Sequence, residues 1–425
     1  MLLKERKLLF VSIFALLLPV IFFATNVSAQ EEVELRVMTV WGGEQKEYLD
    51  DLFAKYSETH PNITVKHEVS AGSGAATYQE VLKTGLNSGT GPDVFFEWAG
   101  TLSGTIIDSG YAEPLDRYYE KYNWDDRFID WSVGSLTRDK VTYGVPLTAR
   151  GMTFWYNVKV WESLDLEKPE SYEDLEAIAK KAKENGIYPI ALGGKFNWMT
   201  MRLLDYLIEV TAGPELHEQL NKLETSWDRP EVIEAFSLFK KWVDNQWITP
   251  GFLNVAPADS RIPFWNGQAL MIFEGNWMPP ETEAAGYDTA NLNFFFGPTG
   301  HEPLRITGFP EQFMINSDSE HKDEAAEFIN WFTSREIQEA NYGTAITGTA
   351  VEGVTADPEE RPRSYQFKEE LVKLKEVFPP TDQVFKSELL HEFFQVQNGL
   401  VTGEFTPESG AEYFQEQSEE WKENN

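Results

Sequence analysis

The pattern of hydrophobic and polar positions alternates between strand-like and helix-like segments from Glu34 onwards. Residues 35–41 form an apolar, extended segment, and residues 44–57 repeat apolar side chains every three or four positions. A period near 3.6 predicts an amphipathic helix, so these two segments predict a strand followed by a helix. The apolar positions of that helix are Tyr48, Leu49, Leu52, Phe53 and Tyr56.

The same alternation continues through the first part of the chain. It predicts a strand over 63–69, a helix over 77–86 and a short buried strand over 92–96. Strands that alternate with helices in this way predict an α/β unit. Residues 143–157 are extended and lead the chain into a second unit.

The second unit and the C-terminal region are rich in helical periodicity, and no repeat or low-complexity linker separates the two units. A chain without such a linker is predicted to form two packed lobes that it crosses more than once. Strands are predicted over 188–192, 269–273, 292–296 and 313–315, and helices over 171–185, 200–211, 231–246, 323–332, 365–377, 388–400 and from Thr406 onwards.

The first residues have the pattern of an export signal. Lys4, Arg6 and Lys7 form a basic start, residues 8–24 are uncharged and apolar, and Val27-Ser28-Ala29 ends in small residues. This arrangement predicts a secretory signal over residues 1–29, with Gln30 as the first residue of the mature chain. An uncleaved membrane anchor is the alternative, because the apolar run is close to the shortest that spans a bilayer.

Composition narrows the classes of protein further. A chain of 425 residues is long enough for two cores, which again favours two lobes. It contains no cysteine, so it has neither a disulfide framework nor a lipid-modified cysteine, and we expect a soluble periplasmic or secreted product. The formal net charge of −33 repels nucleic acid and anionic lipid, so neither is an expected partner.

Several short segments resemble, in order and spacing, the extracellular solute-binding proteins of ABC importers, family 1, the class that includes maltose-binding protein. The resemblance covers nearly the whole mature chain. The matching segments are Val40-Trp41-Gly42-Gly43, residues 56–63, Gly91-Pro92-Asp93-Val94-Phe95, residues 144–147 and 154–157, residues 267–271, Glu274-Gly275-Asn276-Trp277 and residues 324–331.

This resemblance implies an α/β fold of two lobes, each a sheet flanked by helices, with the ligand cleft between them, the type II periplasmic-binding-protein fold. The implied division is residues 30–140 for lobe 1, 141–290 for lobe 2, 291–343 for a return to lobe 1, and 344–425 for helices of lobe 2. It further implies a monomer that binds a sugar and delivers it to the transmembrane permease subunits, with no cofactor and no enzymatic activity.

A sugar presents an apolar C–H face that packs on aromatic rings and hydroxyls that require hydrogen-bonding partners. The chain has 14 tryptophans. Trp277 follows the turn where the family places a ligand-stacking aromatic residue. The other candidates at strand ends or glycine-rich turns are Trp41, Trp98, Trp198 and Trp265, whereas Trp161, Trp227, Trp242 and Trp331 are predicted to be core residues.

The polar and backbone candidates each have a structural alternative. Arg150, after the predicted crossover, either lines the cleft or forms an ion pair. Glu97 either accepts hydrogen bonds from sugar hydroxyls or caps the following helix. The remaining candidates are Gly43 in the turn after the first strand, and Gly308, Phe309 and Glu311, which are predicted to form a loop that returns to the first lobe.

Other functions have less support in the sequence. A secreted glycoside hydrolase needs two carboxylates across a cleft, for which Glu97, Glu274 and Glu311 are available. There is no Gly-x-Ser-x-Gly motif, and none of the six histidines has the spacing of a zinc site, so we expect no metal. The same receptor with a peptide, a compatible solute or an acidic sugar held by Arg150 is a further alternative; a neutral mono- or oligosaccharide is preferred.

Overall fold

The computed structural model describes residues 32–70, 75–343 and 346–424, so the predicted signal segment lies outside the described residues. The strands are β1 Val33–Thr39, β2 Ile63–Val69, β3 Val94–Trp98, β4 Thr137–Arg138, β5 Val141–Thr142, β6 Val145–Asn157, β7 Tyr188–Ala191, β8 Ala269–Gly275, β9 Leu292–Phe295 and β10 Gly308–Ile315. The helices are α1 Gly43–Thr59, α2 Ala75–Asn87, α3 Thr101–Asp108, α4 Asp116–Tyr122, α5 Asp130–Gly134, α6 Val158–Ser163, α7 Tyr172–Glu184, α8 Trp198–Asn221, α9 Pro230–Asp244, α10 Pro257–Trp265, α11 Met278–Ala284, α12 Lys322–Phe332, α13 Arg335–Ala340, α14 Pro362–Leu371, α15 Ser387–Thr402 and α16 Pro407–Asn424.

Local sequence signals explain where several of these elements begin. The Ser171 hydroxyl accepts a hydrogen bond from the backbone N–H of Asp174, and the Asp174 carboxylate accepts one from the N–H of Ser171, which forms a capping box at the start of α7. Proline occupies the first turn of α9, where its missing N–H has no intrahelical partner to lose. Both helices then bury one apolar stripe.

The strand order β2-β1-β3-β10-β6-β8-β7 shows how the two lobes are joined. The first half of β6, as far as Gly151, pairs with β10, and the second half, from Met152, pairs with β8 and β9. One buried strand therefore runs from the sheet of the first lobe into the sheet of the second. A Cβ on Gly151 would lie 2.9 Å from the Ile306 side chain, so glycine permits the close packing at this crossing.

The antiparallel strand β10 lies between the parallel strands of the first lobe and β6, which is the arrangement of the type II periplasmic-binding fold. The predicted fold class is confirmed. Helix α8 packs on α9 and α15 packs on α16, and α16 also packs on α9.

Two expectations about elements are corrected. Gly308, Phe309 and Glu311 lie in strand β10 and not in a loop, because β10 is paired on both sides by β3 and β6. Gly308 and Pro310 are poor strand residues, which hid the first part of β10 from the pattern, whereas the strand predicted over 313–315 is its last part. The helix predicted over 365–377 ends at Leu371.

Strand β9 pairs with Phe154–Asn157 of β6, so it belongs to the second sheet. Of the predicted core tryptophans, Trp161, Trp227 and Trp242 are buried, whereas Trp331 is only partly buried and packs against the core. Within the described part of the chain, no helix has the length and apolar character needed to cross a membrane.

Candidate ligand site between the lobes

A cleft of about 400 Å³ lies where α1 of the first lobe faces the start of α11 in the second. Ligand pockets for small molecules begin at about 300 Å³, so this volume is sufficient for one. A narrow extension of about 10 Å³ shares part of the wall and reaches Trp41, Thr148 and Arg150. We call the two together the interlobe cleft; its wall includes Gln45, Tyr48, Trp277, Glu281, Thr347 and Arg361.

Trp277 enters the interlobe cleft from the turn between β8 and α11, and its ring is held by a buried carboxylate. The indole Nε1–H donates to Oε2 of Glu274 at 2.6 Å, and Nε of Arg261 donates to the other oxygen at 2.9 Å. Glu274 is completely buried, so this pairing is not loosened by water. A Cβ on Gly275 would lie 2.2 Å from the indole, which makes glycine necessary beside the ring.

Arg150 and Glu311 form a buried ion pair across β6 and β10. Nε and Nη2 of Arg150 donate to Oε2 of Glu311 at 3.0 and 2.7 Å, and the Thr148 hydroxyl donates to the same oxygen at 2.8 Å. Nη1 also donates to the carbonyl of Thr347 at 3.2 Å. The guanidinium lies 5.9 Å from the ring of Trp277, so the pair reaches the edge of the cleft while its charges are satisfied within the protein.

Trp198 and Phe309 join Trp277 in an aromatic group that spans the two lobes. The ring of Trp277 lies 6.1 Å from that of Trp198 and 6.5 Å from that of Phe309. The guanidinium of Arg202 is 4.8 Å from the Trp198 ring and 4.6 Å from the Phe309 ring, so it lies between the two. Its Nη2 faces a carboxylate oxygen of Asp382 at 3.5 Å.

Sequence reasoning missed Arg202, Asp382, Gln45 and Tyr48. Arg202 follows Trp198 by four residues on one helix, a spacing that places side chains on the same face and was an available signal. Tyr48 was assigned to the core stripe of α1, but its side chain is 49% exposed at the cleft, whereas Leu49 is buried.

Trp41 and Trp98 lie at the first-lobe side and pack on the core. The Trp41 ring is 5.0 Å from Phe96, edge to face, and it lines the narrow extension of the cleft. The Trp98 ring is 4.8 Å from the same Phe96 ring and 6.2 Å from Tyr78. Both indoles are only partly buried, so each keeps some exposed surface.

Glu97 lies inside the first lobe, within strand β3 and with no exposed surface. Nε2 of Gln79 donates to its two oxygens at 2.6 and 2.8 Å, and the backbone N–H of Trp98 donates to one of them at 2.8 Å. Burial raises the pKa of Glu97 to about 7. The residue at the N-cap of α3 is Gly100, so Glu97 does not cap that helix.

The remaining predicted residues are distributed around the lobes. Trp265 stacks on Tyr287 at 4.8 Å and donates its indole N–H to the Thr282 hydroxyl at 2.9 Å, and the structure does not bring it to the aromatic group of Trp277. Gly43 begins α1 with a positive φ of 60°, just before Gln45 and Tyr48 of the cleft wall.

Gly308 is packed against Val377 and Phe378 rather than open to the cleft. Its N–H donates to the carbonyl of Phe378 at 2.9 Å, and a Cβ would lie 2.7 Å from Val377. Asp93 has a structural role, because its carboxylate accepts hydrogen bonds from the N–H of Arg36 and the hydroxyl of Ser319. Over the described ranges, the structure contains no group of three His, Asp or Glu side chains that could hold a metal ion.

Comparison with known proteins agrees with this architecture. Residues 42–339 match the sequence profile of the family described as bacterial extracellular solute-binding protein. The chain belongs to this family. A multiple sugar-binding protein of Streptococcus mutans is 24% identical to this solute-binding protein over 364 residues, which are 80% of this chain and 81% of that protein.

An uncharacterised ABC transporter extracellular-binding protein of Pyrococcus horikoshii is 24% identical over 317 residues, 73% of this solute-binding protein and 70% of the relative. A solved structure of a chitin oligosaccharide binding protein has a TM-score of 0.79 and 25% identity, and the match covers 92% of this chain and 98% of that one. A maltose-bound protein of T. maritima matches with a TM-score of 0.73 at 18% identity over 91% of this chain and 99% of that one, which supports the fold alone.

Proposed function

We propose that this chain is the receptor subunit of an ABC importer, and that it captures a neutral sugar or short oligosaccharide in the interlobe cleft. The observation that carries the proposal is the ring of Trp277, which is fixed at the cleft by its hydrogen bond to the buried Glu274. A fixed indole offers a flat apolar surface to the C–H face of a sugar ring. Relatives described as sugar-binding or chitin oligosaccharide binding support the same class of cargo.

The charges around the interlobe cleft favour a neutral ligand, because each has a partner in the protein. Arg150 is paired with Glu311 at 2.7 Å. Glu281 is paired with Arg261 at 3.0 Å, and Arg361 faces Glu283 at 3.6 Å. An acidic sugar would have to compete with Glu311 for the guanidinium of Arg150, which makes this alternative cargo less favourable.

We further propose that the protein releases its ligand unchanged. A hydrolase would need one free carboxylate as a base or nucleophile and one protonated carboxyl group as an acid. Of the three candidates, Glu274 accepts from Trp277 and Arg261, Glu311 is held by Arg150 and Thr148, and Glu97 has no exposed surface. These contacts occupy the carboxylates in structural roles.

Delivery to a membrane permease follows from the class of transporter to which the relatives belong. Closure of two lobes around a ligand gives a permease a shape that differs between the loaded and the empty receptor. The chain would act as a monomer in the periplasm or as a secreted protein. The acidic surface, with a formal charge of −33, is consistent with a soluble receptor that does not bind nucleic acid.

Isothermal titration calorimetry with a panel of neutral mono- and oligosaccharides tests this proposal. We expect saturable binding of at least one sugar with a stoichiometry of one, and chromatography should recover the same sugar intact after incubation. Release of reducing sugar from an oligosaccharide would instead support the hydrolase. Binding of a peptide or an acidic sugar, with no neutral sugar bound, would refute the proposed cargo.

A further inference from the structure

A second groove between the lobes, separate from the interlobe cleft, has a volume of about 470 Å³. One wall is formed by α3 and residues 135–138 of the first lobe, and the other by residues 221–223, residues 383–389 and Trp421 of the second. We call it the α3–α16 groove. Its walls meet closely: the Thr101 hydroxyl donates to the carbonyl of Val384 at 2.8 Å.

The charge of the α3–α16 groove is opposite to that of the protein as a whole. Three basic side chains, Arg138, Lys222 and Lys386, and one acidic side chain, Asp108, line it. Three other grooves, of 190, 400 and 600 Å³, are each lined by more acids than bases. In a chain with a formal charge of −33, a basic groove is not expected from composition alone.

Two of the three basic side chains have little of their positive charge balanced by a nearby acidic side chain. The ammonium of Lys222 lies 3.9 Å from Glu218, at the limit of an ion pair, and the side chain is 60% exposed. The exposed Lys386 has its ammonium 5.9 Å from the ring of Trp421. Arg138, in contrast, is paired with Asp108 at 2.6 Å. The positive charge of the groove is therefore carried mainly by the two lysines.

Asn221 supplies an independent observation at the same place. It lines the groove and its residue surface is only 7% exposed, yet neither its amide oxygen nor its amide nitrogen has a hydrogen-bond partner among the described residues. A buried amide without partners costs about 1 to 3 kcal/mol, so such a group normally has a partner. A bound polar molecule would provide one.

We propose that the α3–α16 groove binds a small molecule that carries a carboxylate or phosphate group. Lys222 and Lys386 attract the anionic group, and the amide nitrogen of Asn221, which is enclosed in this structure, turns towards the groove and donates a hydrogen bond to it. Since the two walls belong to different lobes, the bound anion bridges them and changes the affinity of the interlobe cleft by linkage. Only this last consequence depends on the proposed sugar-binding function.

Calorimetric titration of the full chain with inorganic phosphate, and separately with succinate, tests the proposal at constant ionic strength set with NaCl. We expect saturable binding of at least one of the two anions. Lys222→Gln and Lys386→Gln should each weaken it by about tenfold, the loss of one charge-assisted hydrogen bond. Lys180→Gln is the matched control, because Lys180 also lies 3.9 Å from a glutamate one helical turn away and is 72% exposed.

Asn221→Leu provides a second test that separates binding from folding. The change removes the amide at nearly constant volume, so we expect anion binding to be lost while the melting temperature does not fall. Absence of saturable binding of both anions, or equal binding by Lys222→Gln and Lys180→Gln, would overturn the proposal. Neither titration requires a sugar, so this failure is distinct from failure of the receptor function.

Discussion

Two tryptophans of the second lobe show how the environment of a residue decides its role. The indole N–H of Trp277 is bound by a buried carboxylate at 2.6 Å, and that of Trp265 by the Thr282 hydroxyl at 2.9 Å. The Trp277 ring borders the interlobe cleft, whereas the Trp265 ring stacks on Tyr287. The two residues have similar local constraints and differ in what their rings face.

Trp277→Ala should therefore weaken sugar binding by about 1 to 3 kcal/mol, the usual cost of losing a central aromatic contact. Trp265→Ala, the same change outside the aromatic group, should leave the affinity almost unchanged. Calorimetric titration of both variants with the sugar found in the screen measures this difference. If the two variants lose affinity equally, or if neither does, Trp277 is not the stacking residue.

Glu97 gives a prediction about pH. Its pKa of about 7 in the folded protein is above the ordinary value of about 4.5, so between these pH values the folded state holds a proton that the unfolded state has released. The contribution of Glu97 to stability is full below about pH 4.5 and decreases by about 3 kcal/mol as the pH rises to about 7.

Glu97→Gln should remove this contribution to the pH dependence, because the amide does not titrate and the amide of Gln79 can rotate to pair with it. Urea unfolding between about pH 5 and about pH 8 should show a flatter profile than wild type. The exposed Glu376→Gln serves as the control and should retain the wild-type slope. A variant with the same slope as wild type would show that Glu97 does not titrate in this range.

At the residue scale, the sequence predicted which residues are candidates for the site better than it predicted which side chains bond to one another. It identified Arg150 and Glu311 as candidates for the ligand site. Their hydrogen bonds join positions 161 residues apart, and no local sequence pattern predicts such a contact. The contact of Arg202 with Phe309 is equally non-local. Glu97 was predicted at a strand end, and only the packing of α2 on β3 through Gln79 shows that it is enclosed.

At the scale of elements, strand β6 connects the two sheets and carries Arg150 one residue before the close-packed Gly151. The strand was predictable because apolar residues make up the larger part of 143–157. Only the end of strand β10, residues 313–315, was predicted, since glycine and proline interrupt the pattern at its start and pairing with β3 and β6 stabilises it there instead. Tertiary pairing thus defined the part of β10 that sequence periodicity failed to identify.

The capping box of α7 allows an element-scale prediction. Ser171→Ala removes the side-chain acceptor for the N–H of Asp174 and should lower the free energy of unfolding by about 1 kcal/mol. Ser237→Ala is the control, because the Ser237 hydroxyl bonds only to a carbonyl within α9, and its loss should change stability by less than about 0.5 kcal/mol. Equal effects of the two changes in urea unfolding would contradict the role of the cap.

At the scale of the whole molecule, the charge of −33 sets a repulsion that any folded form of the chain must overcome. Raising NaCl to about 1 M shortens the screening length to about 3 Å and weakens this repulsion between exposed acids. We expect the melting temperature to rise by several degrees between low salt and about 1 M NaCl. A constant or falling melting temperature in differential scanning calorimetry would show that the repulsion is already balanced.

The two lobes also determine where ligands can act on the whole molecule. The interlobe cleft and the α3–α16 groove each have walls from both lobes. A molecule in either of them shifts the lobe arrangement only if it binds one arrangement more tightly than another. The proposed sugar and the proposed anion would be coupled if both meet this condition.

A crystal structure of the protein with the tightest-binding neutral sugar tests the central claim most directly. We predict a sugar ring stacked on the indole of Trp277 and enclosed by α1 of the first lobe, with the ion pair of Arg150 and Glu311 intact. A sugar bound elsewhere, with the Trp277 ring uncovered, would contradict the account.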